Sequence, residues 1–248
     1  MNQILIETYC ASAADAFASA AAGIKRIELN SALALGGLTP SIGSLIQIKT
    51  ATGLSVMAML RPRSGGMCYS DDEFDTMCFD VEALLQAGAG GLVFGILLEN
   101  GEIDRKRCLI LRELIGSKQA VFHRAFDVTP DPFQAMEQLI QLGFTRILTS
   151  GQQPSVVQAA DLIRRLQQQA AGRIEILPGG GLRLHNVEEF IRQTGCTQIH
   201  MTPRKCYQDR STAGNPALRF GAVNMPTENE VSLVDGVALE RLQAKLLL

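Results

Sequence analysis

The sequence predicts an α/β protein, a single-domain (β/α)8 barrel of the TIM type. Short apolar runs alternate with helix-patterned segments eight times along the chain. A length of 248 residues suits one such barrel. The helices also share one kind of stop, Ala22-Gly23, Ala87-Gly88 and Leu142-Gly143, the chemistry expected where a helix ends before the next strand. An open doubly wound sheet is the alternative. It is weakened because no GxGxxG follows the first strand.

Ile4 to Glu7 reads as the first strand, and an alanine-rich helix from about Ser12 to Ala22 follows it. Ile24 to Leu29 is the second, leading through Gly36-Gly37 to a helix over about Ser41 to Thr50. The third, Ser55 to Leu60, runs into Arg61-Pro-Arg63 and then a helix from about Asp71 to Ala87. Ser70 and Glu73 have capping-box spacing at the start of that helix. Gly91 to Leu97 is the fourth strand, with Asp104 capping the next helix, and Gln119 to Phe126 is the fifth. Arg146 to Thr149, Glu175 to Leu177 and Gln198 to Met201 complete the set. A helix of about His185 to Thr194 precedes the eighth strand. Another, about Asp235 to Leu247, closes the chain. The stretch from about 203 to 231 shows no periodicity and reads as a lid, an interface arm or a disordered segment.

Composition excludes several classes. A net charge of −2 argues against a nucleic-acid-binding surface. No apolar run approaches a membrane span, and the N-terminus lacks the basic region of a signal peptide. Cys10, Cys68, Cys78, Cys108, Cys196 and Cys206 form no CxxC pair, which suits reduced thiols in a cytoplasmic protein.

In a barrel of this kind the strand C-termini carry function. Polar residues gather there: Glu7, Glu28, Asn30, Arg61, Arg63, His123, Arg124, Asp127, Thr149, Ser150 and His200. Arg61 and Arg63 sit two apart, on one side of an extended chain, and need anions from neighbouring carboxylates or from a ligand. The first three strands are neighbours about 5 Å apart, so Glu7 and Glu28 are expected to reach Arg61. Two readings of that trio stand together: a structural network, or an acid/base pair whose pKa values the surroundings push apart. His123 and Asp127 join Glu7 and Glu28 as acid/base candidates. Arg61, Arg63, Ser150, Gly179, Gly180 and His200 are anion or substrate candidates, the glycines through backbone N–H groups. Apart from Lys205, no lysine falls at the C-terminal end of a strand, which disfavours Schiff-base chemistry. Cys10, Cys68 and Cys206, with Met67 and Met201, follow strands at the same end and offer soft donors suited to Cu(I).

Several motifs occurring together and in order resemble the CutC family of copper-homeostasis-associated proteins. They are Arg26-Ile-Glu-Leu29, Gly36-Gly-Leu-Thr-Pro-Ser41, Arg61-Pro-Arg-Ser-Gly-Gly66, Cys68-Tyr-Ser-Asp71, Phe122-His-Arg-Ala-Phe-Asp127 and Arg146-Ile-Leu-Thr-Ser-Gly-Gln152. The resemblance implies a barrel, a cytoplasmic location, a homodimer or higher homo-oligomer, and a copper ion as partner. It also implies Cu(I) ligands at cysteines just after strands 1 and 2. Cys10 matches the first of these positions, and Asn30 occupies the second. The competing expectation is a barrel enzyme of lyase, isomerase or hydrolase type acting on a small phosphorylated or carboxylated metabolite.

Overall fold

In the computed structural model, which describes residues 4–215, 217–221 and 229–246, eight parallel strands stand side by side in the order β7-β6-β5-β4-β3-β2-β1-β8. They are β1 (Leu5–Cys10), β2 (Arg26–Leu29), β3 (Ser55–Met59), β4 (Gly91–Phe94), β5 (Gln119–Phe122), β6 (Arg146–Thr149), β7 (Glu175–Pro178) and β8 (Gln198–His200). A bridge between Gly179 and His200 joins the two ends and brings the sheet close to a closed barrel. Every strand except β8 runs directly or through a 3-10 turn into its helix: α1 (Ala13–Ala21), α2 (Ile42–Ala51), α3 (Asp71–Gln86), α4 (Arg105–Ile115), α5 (Pro132–Gln141), α6 (Ala160–Ala170) and α7 (Val187–Thr194).

Local chemistry sets the helix starts. Ser12, Ser41 and Asp104 each accept a backbone N–H of the first turn. Ser70 and Glu73 form the full reciprocal capping box. Asp131 caps α5, with Pro132 in its first turn.

Strand alternation divides the core in two. Outward residues such as Ile27, Leu29, Val56, Leu92 and Phe122 pack under the helices. Met57, Met59, Val93, Val121, Leu148 and Leu177 form a separate apolar belt inside the barrel. Charged groups lie at the N-terminal end of the strands. There Arg26 donates to Gln198 (2.6 Å), and Arg146 donates to Glu175 (2.7 Å) and Gln119 (3.1 Å).

The stretch expected to be irregular holds one strand and the start of a second. β9 (Arg204–Gln208) and β10 (Glu230–Val234) pair antiparallel as a ribbon, and then α8 (Gly236–Leu246) closes the chain. Asp15 of α1 pins this ribbon. It accepts Val234 N–H (2.7 Å), Ala11 N–H (2.9 Å) and both terminal nitrogens of Arg204 (3.2 Å). The fifth strand is shorter than expected, because the chain turns into a 3-10 helix at Arg124–Val128.

Candidate functional site

A cavity of about 850 Å³ opens at the C-terminal end of the barrel. Glu28, Asn30, Arg61, His123 and His200 reach it from the strand ends, and Arg204, Glu230 and Ser232 reach it from the ribbon.

Glu7 lies beneath this mouth rather than in it. Its Oε2 is 2.5 Å from Arg26 Nε and 3.9 Å from Arg146 Nη1. Its Oε1 accepts His200 Nδ1–H at 3.0 Å. Burial alone would raise the Glu7 pKa. The His200 hydrogen bond and the two arginines outweigh it and bring the carboxyl down to about 2. Burial likewise works against a charged His200, but the Glu7 hydrogen bond and both carboxylates prevail and raise its pKa.

Glu28 has the opposite balance. Burial raises its pKa, with the Glu7 charge adding, against the His200 charge and one hydrogen bond from Asn30 Nδ2 (2.8 Å). Its Oε2 is buried with no partner in the protein.

His123 is held by its Nδ1, which accepts Ala125 N–H at 3.1 Å. That fixes the neutral ring with its proton on Nε2, and this buried N–H has no partner. Burial, then the Arg61 charge, lowers the pKa to about 4. Glycines admit both histidines. A Cβ on Gly95 would stand 2.7 Å from the His123 ring, and one on Gly179 would stand 2.9 Å from His200 Cβ.

The expected trio of Glu7, Glu28 and Arg61 does not form. Arg61 spends its terminal nitrogens on the carbonyls of Leu35 (3.1 Å), Gly37 (3.0 Å) and Gly65 (2.8 Å). Arg26 and Arg146, passed over in the sequence, neutralise Glu7 instead. Their signal was there: each opens a strand on the parity that faces the barrel interior. Arg63 turns outward to pair with Glu73 and with the carbonyls of Gly66 and Cys68. Asp127 is saturated by Thr149 Oγ1, Ser150 N–H and Oγ–H, and Arg124 Nε (2.9 Å). It therefore fastens the β5 loop to the end of β6, and Ser150 is absorbed in the same knot. Gly179 and Gly180 line the cavity.

Cys10 points away from the mouth, into the space between β1 and α1. Its Sγ lies 3.6 Å from Ser19 Oγ, and burial pushes its thiol up to about 12. Cys68 and Cys206 are exposed at the surface. Among the described residues, Glu7, Glu28 and His200 are the one group of three His, Cys, Asp or Glu side chains close enough to meet a cation, within 4.8 Å. These are hard oxygen and nitrogen donors, unsuited to Cu(I), and Arg26 already neutralises Glu7. This trio therefore does not fit a Cu(I) centre, and Cys10 faces away from it.

The model of the CutC family matches residues 4–205. The chain belongs to the CutC family. A CutC family protein of Treponema denticola is 48% identical over 233 residues, covering 94% of this chain and 95% of its own. The human copper homeostasis protein cutC homolog is 37% identical, over 98% of this chain and 89% of its own. A solved CutC structure from Streptococcus agalactiae superposes with a TM-score of 0.75 at 35% identity, covering 79% of this chain and 97% of that one. The family match thus includes the strand-end residues of the mouth and stops at the first strand of the ribbon.

Proposed function

We propose that this chain takes part in copper homeostasis, the role stated in its human relative's name, and that its working part is the cavity at the barrel mouth. One observation carries the second half of that reading. Glu28 Oε2 and His123 Nε2 are buried, lack partners and belong to residues lining one cavity. A buried polar atom left unpaired costs about 1–3 kcal/mol, so two of them in one cavity favour a small polar ligand that pairs with both. Bare Cu(I) held on Cys10 has no comparable support.

The test is copper tolerance in cells lacking the gene, complemented with wild type, Glu28→Gln or Cys10→Ser. Wild type and Cys10→Ser restore growth and Glu28→Gln does not. Full restoration by Glu28→Gln removes the mouth from the function, and no restoration by wild type removes the copper role. All six cysteines are free thiols, which supports a cytoplasmic location. Self-association is part of the same proposal, and light scattering checks it by molar mass.

A further inference from the structure

The barrel mouth carries more than a ligand pocket needs. Glu7, ionised and buried, orients His200 through Nδ1, in the manner of a carboxylate holding an imidazole base. The second acid/base group, Glu28, lies within 4.8 Å of that pair, with its Oε2 unpartnered. Across the mouth, β5 stands three strands from β2 in a ring of eight, so His123 faces Glu28 from nearly the opposite wall. His123 offers a neutral N–H donor there and no acceptor, since Nδ1 is occupied.

We propose that this mouth is a proton-transfer site for a small carbonyl compound with a C–H next to the carbonyl, Glu28 taking the proton and His123 holding the oxygen. The inference rests on the cavity reading above and names its chemistry. In the step, the C–H bond breaks and its proton bonds to Glu28 Oε2. The freed electron pair becomes a C=C π bond, and the carbonyl π pair moves to oxygen, where His123 Nε2–H meets it. Returning the proton to carbon restores the carbonyl. The step needs no oxidant, reductant or cofactor. Glu28 acts as the carboxylate, the form that the charge on His200, within 4.8 Å, favours. Neutral His123 suits its part, because a neutral donor matches a developing enolate better than a fully charged imidazolium that burial disfavours. Glu28 and His123 are thus catalytic residues. Glu7 is a positioning residue acting through His200.

The experiment is solvent deuterium incorporation followed by proton NMR, with dihydroxyacetone, dihydroxyacetone phosphate and pyruvate as probes. Saturation-transfer binding is read on the same samples. Wild type is expected to speed exchange of at least one probe above the buffer rate. Glu28→Gln loses about 100-fold of that rate, and His123→Gln about 10-fold, with binding kept. Glu7→Gln shifts the pH profile of exchange, which a purely structural role would not do. Cys10→Ser leaves exchange unchanged. Binding without exchange in wild type overturns proton transfer and leaves the cavity reading standing. No binding of any probe overturns the carbonyl ligand class. Exchange that survives Glu28→Gln overturns the assignment of the base.

Discussion

Glu7 Oε1 accepts His200 Nδ1–H at 3.0 Å while its other oxygen lies 2.5 Å from Arg26 Nε. One buried carboxylate thereby joins the charged floor of the barrel to its mouth. Two arginines and a histidine share this single anion, so its removal strands positive charge in the interior.

Glu7→Gln is therefore expected to lower unfolding free energy by about 3–5 kcal/mol, the usual result of breaking one side of a buried pair. Chemical denaturation measures it. A loss below about 1 kcal/mol would show that Arg26 and Arg146 are satisfied without Glu7.

His123 sets an acid limit to stability. Its pKa falls from the ordinary 6.5 to about 4, so the unfolded chain takes up a proton that the folded chain refuses. The His123 contribution is whole above pH 6.5 and declines as pH falls toward 4, by up to about 3 kcal/mol at 1.36 kcal/mol per unit. Glu7 adds a second decline from about 4.5 toward 2, since its folded pKa is depressed. His123→Gln removes the upper decline only. Unfolding free energies at pH 7, 5.5 and 4.5 check this, and parallel curves for the two proteins would contradict it.

How far the fold could be read from sequence depended on how local each signal was. The β6 boundaries match, and the Ser70–Glu73 box forms, because each is written in a few adjacent residues. β9 escaped notice because four of its five residues are exposed, leaving no apolar alternation, and its partner lies more than twenty residues away. In the site, Glu28, His123 and His200 were found because a polar residue at the end of an apolar run stands out. The partners of Arg61 are three backbone carbonyls from two loops, and no residue type announces a carbonyl. The family's cysteine position located Cys10 in the chain but not its facing. The parity of β1 settles that: Glu7 and Tyr9 point into the barrel, and Thr8 and Cys10 toward α1.

Cys10→Ser should leave Cu(I) affinity under reducing conditions within about twofold of wild type, because a thiol with a pKa pushed up to about 12 is a poor source of thiolate. Competition against a chromogenic Cu(I) chelator reads this. A tenfold loss of affinity would place Cys10 among the ligands and require β1 to rotate its outward face.

Arg61 and Arg63 are expected to part company. Arg63→Ala removes contacts at the surface, with Glu73 and with the carbonyls of Gly66 and Cys68, and changes stability by about 1 kcal/mol or less. Arg61→Ala leaves the carbonyls of Leu35, Gly37 and Gly65 without their donor, and about 2–4 kcal/mol is lost. Thermal unfolding of the two variants side by side separates them, and equal shifts would refute the distinction.

Asp15 is the hinge pin of the ribbon, and its loss should be felt at a distance. Its carboxylate accepts from Val234 at the end of β10 and from Arg204 at the start of β9, while also capping the turn at Ala11. Asp15→Ala leaves Val234 N–H unpaired and takes from Arg204 its carboxylate partner, so the ribbon that carries Glu230 and Ser232 over the cavity loses its Asp15 anchor to α1. Limited proteolysis is the direct readout, since cleavage tracks the population of opened chain. Faster cutting between residues 204 and 234, with the barrel fragment left intact, is the expected result. Uniform acceleration along the whole chain would mean that Asp15 supports the barrel itself, through α1, rather than the cover over its mouth.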